Sequence, residues 1–202
     1  MLGLSKPSWA DDYRAPVPIE QAKPVKKLPS WLAVAVITLV VLPLGAAVAD
    51  QVFAVGGSYN PVDDDAAIEL HTRDVGRYQV ELGQYSRDDW SHPGPALFYL
   101  LALPYRLTGS SSIGNIVGAL VINGLSVVGI LVLAHRRGGG PLLCISAVGC
   151  ALLIRGFGPL FLADPWNPLV PVLPFGFFLF LVWEMTCGGV RALPAAAAVG
   201  TF

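Results

Sequence analysis

The chain has 202 residues, 54% of them hydrophobic and only 13% charged, with a mean hydropathy of +0.60. That is too apolar and too poor in charge for an ordinary water-soluble domain, and it reads as an integral membrane protein. A net charge of −1, with no cluster of basic and aromatic residues, argues against nucleic acid as a partner.

In chain order, residues 1–30 carry five prolines and the lysines Lys23, Lys26 and Lys27 without apolar periodicity, which predicts a disordered arm. The first apolar run begins only at Trp31 and is long enough to span, so 31–50 is expected to be a retained first transmembrane helix, kinked at Pro43, rather than a signal peptide. The lysines before it place the N-terminus in the cytoplasm, and 51–112 becomes an external loop. This loop is acidic: Asp63, Asp64, Asp65, Glu69, Asp74, Glu81, Asp88 and Asp89 stand against Arg73, Arg77 and Arg87. Further spans are expected at 113–134, 141–163 and 168–186, and residues 191–202 read as the start of a truncated fifth, so the chain is expected to be the N-terminal part of a larger protein.

The run 95–107 decides the topology. If it crossed, Arg136 and Arg137 would fall outside, against the positive-inside rule; if it does not, they join Arg191 and the N-terminal lysines inside. It is also only about twelve residues long and contains Pro104 and Arg106, so it is expected to be a half-buried helix at the outer interface. The fold class that follows is an all-α polytopic membrane protein whose external loop carries two amphipathic juxtamembrane helices, at about 63–83 and 95–107. Cys144, Cys150 and Cys187 have no metal-ligand or redox spacing and read as inert thiols.

The polar residues of the loop are candidates for chemistry. Asp63 can cap the helix over 63–83, with Asp64 and Asp65 in its first turn, and Ala67, His71, Val75, Tyr78 and Leu82 form its apolar stripe. Glu69 and Arg73 are spaced as a solvated pair. Three consecutive aspartates exceed what a cap requires, and crowded carboxylates raise at least one pKa. One could act as a general base or hold a divalent ion; the plainer alternative is an acidic, solubilising turn. In "WSHPGP", His92 lies beside a helix N-terminus opened by Pro95, where it either meets an anion or is simply an interfacial histidine. Arg155 lies within the third span, where a charge costs roughly 2.5–3.5 kcal/mol, and it either snorkels or pairs with Asp164 or a lipid phosphate. Asp164 belongs to the short external turn "ADPWNP".

The order of these features resembles the polyprenyl-phosphate-dependent membrane glycosyltransferases of GT-C fold, in particular the protein O-mannosyltransferase and aminoarabinose transferase group. "DDAAIELHTRDVG" is similar to that group's acidic loop motif, and "HPGPALFYLLALPYRLTG" to its juxtamembrane segment. The likeness covers roughly 51–168; it departs from the family in having a triple Asp for Asp-Glu and Gly94 at the second proline's place. The resemblance implies a GT-C-like helix bundle in a bacterial plasma membrane, with an external active site fed by a lipid-linked sugar. Asp64 would be the base, with Asp65 next, and His92, Arg155, Asp164 and Glu69 would bind substrate. The acceptor would be a glycan, lipid or protein, and Asp and His could hold a divalent metal although no spacing demands one. The rival classes are a transporter or flippase-like protein in which Arg155 and Asp164 line a path, and a structural membrane subunit. No internal repeat, the mark of many transporters, is visible.

Overall fold

A computed structural model describes residues 29–54, 59–86, 89–92 and 94–201. The expected disordered arm, apart from its last two residues, and Pro93 of the "HPGP" segment lie outside them. The described residues are all-helical: α1 Ser30–Ala54, α2 Asp63–Asp74, α3 Ala96–Leu107, α4 Ile113–Phe157, α5 Val172–Thr186 and α6 Leu193–Gly200, with 3-10 turns at Pro159–Leu162 and Val190–Ala192. One of these helices, α4, is long and apolar enough to cross a membrane by length and composition.

α4 is not straight. Gly139 has φ 61° and ψ −149°, a conformation open to glycine, and breaks the helix just before Pro141. The amide of Asn123 donates to the carbonyl of Leu162 at 3.0 Å. A straight helix would place Phe157 about 51 Å from Asn123, farther than the next five residues could reach back, so the two arms must fold into a hairpin. Leu131 and Val127 of the first arm share one core with Leu143, Ala147 and Ile154 of the second, and with Ala33 of α1. The second arm ends at Phe157 rather than running to 163, because Gly158 turns the chain at φ 98°.

The arms are unequal: 113–138 is about 39 Å long and 140–157 about 27 Å. α3 packs on the overhang. A Cβ at Gly114 would lie 2.4 Å from Cα of Tyr105, and one at Gly118 would lie 2.5 Å from Cδ2 of Leu101. Phe98 packs one turn further along, in the cluster that Ile122 borders. As α4 numbers rise, their α3 partners fall, so α3 stands antiparallel to α4 in a groove made by two glycines four residues apart. α3 is half-buried, as expected: Phe98, Leu101, Ala102 and Tyr105 are buried and Tyr99, Leu100, Leu103 and Leu107 are exposed. The Pro104 ring sits in the same groove, with its Cγ 2.9 Å from where a Cβ at Gly118 would lie.

On the other side, α5 runs parallel to the first arm. The Phe177 ring fills the space beside Gly129, Leu133 meets Leu181, and the Arg137 guanidinium binds the Glu184 carboxylate. The turn bearing Arg136 and Arg137 therefore lies at one end of the hairpin, and the 158–171 loop near the other.

α2 stops at Asp74, well short of 83. Gly76 adopts φ 76°, and the amides of Arg77 and Tyr78 both turn back to the Asp74 carbonyl at 2.9 Å. Tyr78 and Leu82, expected on an apolar stripe, are exposed, whereas Ile68 and Thr72 are fully buried. Beyond the turn, Gly83 and Gln84 pair with His92: the Gly83 amide donates to the His92 carbonyl at 2.8 Å and the His92 amide to the Gln84 carbonyl at 2.9 Å. A Cβ at Gly83 would lie 2.6 Å from that His92 oxygen, so only glycine permits the approach.

Candidate functional site

The acidic start of α2 meets the loop between α4 and α5. Asp63 does not cap: the N-cap is Val62, with no side-chain cap bond, and Asp63 itself is exposed at φ 50°. Asp64 reaches instead across the fold. Its Oδ2 accepts the indole N–H of Trp166 at 2.8 Å, and its Oδ1 accepts the amide of Gln84 at 3.1 Å. Gln84 is only 6% exposed, so one of the two donors is held by packing while Trp166 reaches in from the more open side.

Asp65 points elsewhere, because successive helix residues differ in direction by about 100°. Its Oδ2 accepts the hydroxyl of Tyr59 at 2.6 Å. Burial, and then the bond to Asp65 and its charge, push the Tyr59 hydroxyl far above the ordinary tyrosine range; Asp164 and Glu69 add to the effect from farther off. Asp164 is half-buried, and its Oδ1 accepts the backbone N–H of Trp166 at 2.9 Å. Burial raises its carboxyl above the usual aspartate range, the Trp166 amide pulls it back, and the charge of Asp65 raises it further. Asp64, Asp65 and Asp164 thus form one layer drawn from two segments about a hundred residues apart.

Glu69 borders this layer but is not paired with Arg73. Its Oε1 accepts the Tyr105 hydroxyl at 3.2 Å, tying α2 to α3, and its Oε2 is buried without a protein partner among the described residues. His92 stands across the Gly83–Gln84 bridge, its ring 4.6 Å from that of Trp90. It lines a cleft of about 220 Å³ with Gly83, Gly94, Phe98, Asn167 and Pro171. The cleft opens between the first turn of α3 and the turn leading into α5, and Asn167 follows Trp166 directly.

Arg155 does not join the site. It is exposed in the last turn of α4, next to buried Ile154, and among the described residues it makes no ion pair; Asp164 is engaged by Trp166 instead. As for a metal, no group of three His, Cys, Asp or Glu side chains among the described residues is arranged to hold one. Both oxygens of Asp64 are already taken by N–H donors.

Three participants were not singled out from the sequence. Trp166 was visible only as a member of the "ADPWNP" turn, and nothing local marks Gln84 or Tyr59, whose partners are separated from them by 20 and 6 positions. Comparison with protein-family models, curated proteins and solved structures finds no match to this chain.

Proposed function

We propose that this chain is a polytopic, GT-C-like membrane glycosyltransferase of the bacterial plasma membrane, transferring a sugar from a polyprenyl-phosphate donor to an acceptor hydroxyl on the external face. The observation that carries the reading is the gathering of Asp64, Asp65 and Asp164 near the end of the α4 hairpin away from Arg136 and Arg137. In this reading both arms of α4 cross, with α1, α5 and α6 beside them. The arginine turn faces the cytoplasm, and the overhang with α2 and α3 rises from the outer surface.

The chemistry asks little beyond a base and a positioned leaving group. A carboxylate of the Asp64–Asp65 pair takes the proton of the acceptor hydroxyl as its oxygen bonds to the anomeric carbon. The bond from that carbon to the donor's phosphate oxygen breaks, and its electron pair leaves with the polyprenyl phosphate. The cleft beside the layer, with His92 and Asn167 among its polar groups and Phe98 and Pro171 among its apolar ones, takes the head of a substrate. Arg155, turned outward at the end of its helix, is placed to meet lipid phosphates rather than the reacting centre.

Membranes carrying the complete gene product, supplied with radiolabelled polyprenyl-phosphate sugars, test the proposal. The wild type is expected to release polyprenyl phosphate and label an acceptor, and the double variant Asp64→Asn/Asp65→Asn is expected to do neither. Transfer by the double variant at the wild-type rate would sink it.

A further inference from the structure

Asp64 and Asp65 are neighbours in sequence with unlike surroundings. Both oxygens of Asp64 accept N–H bonds, from Trp166 at 2.8 Å and Gln84 at 3.1 Å. Gln84 also reaches the Asp64 carbonyl at 3.4 Å, so one buried amide grips both the side chain and the backbone of the first turn of α2. Trp166 is itself oriented, because its backbone N–H is bound by Asp164. Asp65 receives a single hydroxyl bond, from Tyr59, and its other oxygen has no donor among the described residues.

We propose that Trp166 and Gln84 are positioning residues: they fix Asp64 as an orienting carboxylate, and so commit proton uptake from the acceptor to Asp65. The assignment rests on the glycosyl-transfer reading. Its physical basis is positional. With Asp64 tied to the α4–α5 loop, the first turn of α2 is fixed against that loop, and Asp65 is held toward Asp164 and Tyr59. A misdirected base slows the chemical step without weakening acceptor binding.

Two measurements on the complete gene product test this. In sugar transfer, Trp166→Phe is expected to lower kcat by roughly tenfold to a hundredfold while the acceptor KM stays within about twofold. Asp64→Asn, which keeps a carbonyl acceptor for the indole, is expected to retain more activity than Asp65→Asn. In nanodiscs, the indole N–H resonance lost in Trp166→Phe identifies Trp166 among the five tryptophans. Asp64→Ala is expected to move that resonance upfield and leave the other indoles in place. An active wild type with full kcat in Trp166→Phe, or an indole resonance indifferent to Asp64→Ala, overturns the positioning role. Absence of transfer in the wild type would instead refute the glycosyl-transfer reading, and the indole resonance would still decide whether Trp166 holds Asp64.

Discussion

The indole N–H of Trp166 lies 2.8 Å from Oδ2 of Asp64, a residue 102 positions earlier in the chain. Together with the Gln84 amide, it fastens an acidic loop helix to the turn between α4 and α5. The two donors differ in burial, and the cost of removing them should differ accordingly. Gln84→Leu takes away a buried amide and leaves Asp64 Oδ1 without its donor, which is expected to cost about 1–3 kcal/mol. Trp166→Phe removes a more exposed bond and is expected to cost at most about 1 kcal/mol. Thermal unfolding of both variants in nanodiscs checks the order.

Asp164 gives the site a pH dependence of definite sign. Burial, reinforced by the charge of Asp65, raises its folded-state pKa above the aspartate value of the unfolded chain. The folded chain therefore holds that proton more tightly. The resulting stabilisation is fully present below the ordinary aspartate range and is lost as pH rises through the raised folded value. Asp164→Asn, which can still accept the Trp166 amide, is expected to flatten the unfolding temperature between about pH 4 and pH 8. Near neutrality it should unfold no lower than wild type. A variant that keeps the wild-type slope would show that Asp164 is not the group responsible.

The glycine groove on α4 separates a packing requirement from a helix propensity. Gly114→Ala drives a Cβ to 2.4 Å from the backbone of Tyr105, which cannot move without undocking α3, and is expected to cost about 1–3 kcal/mol. Gly124 has nothing within 4 Å of its Cβ position, so Gly124→Ala is expected to stabilise by up to about 1 kcal/mol. Thermal melts of the two variants should move in opposite directions.

At the other end of the hairpin, the Arg137 guanidinium binds the Glu184 carboxylate and donates to the carbonyls of Glu184 at 3.2 Å and Cys187 at 3.4 Å. It therefore serves as both ion-pair partner and cap for the last turn of α5. Arg137→Leu is expected to lower the unfolding temperature more than Glu184→Gln, because only the first change also frees the carbonyls. Equal effects in the two variants would reduce the contact to its charge alone.

The helices of the hairpin were legible because α4 is nearly uniform in hydropathy and its turn is marked by "HRRGGG" and Pro141. α3 was found at its observed limits for the same reason. Its orientation was not, since the Gly114–Gly118 groove has meaning only once a partner helix is known. The end of α2 is not legible in the apolar pattern because Val75, Tyr78 and Leu82 continue a helical spacing; Gly76, at φ 76°, is the local signal against it. In the site, the spacing of Asp64 and Asp65 marked them, but the donors that distinguish them come from Trp166 and Gln84, and no periodicity links such distant positions. Arg155 stands out in the sequence because of its apolar neighbours; what the sequence does not mark is that the helix ends two residues later, which leaves it exposed in the last turn of α4.

In the proposed arrangement the carboxylate layer and the arginine turn face opposite sides of one membrane. Single cysteines on a background lacking Cys144, Cys150 and Cys187, probed in intact cells with an impermeant thiol reagent, check it. Ser110 lies in the exposed turn between α3 and α4, and Arg136 is exposed beside the hairpin turn. Ser110→Cys is expected to label in intact cells and Arg136→Cys only after lysis. Labelling of Arg136→Cys in intact cells, or of Ser110→Cys only after lysis, would contradict the arrangement.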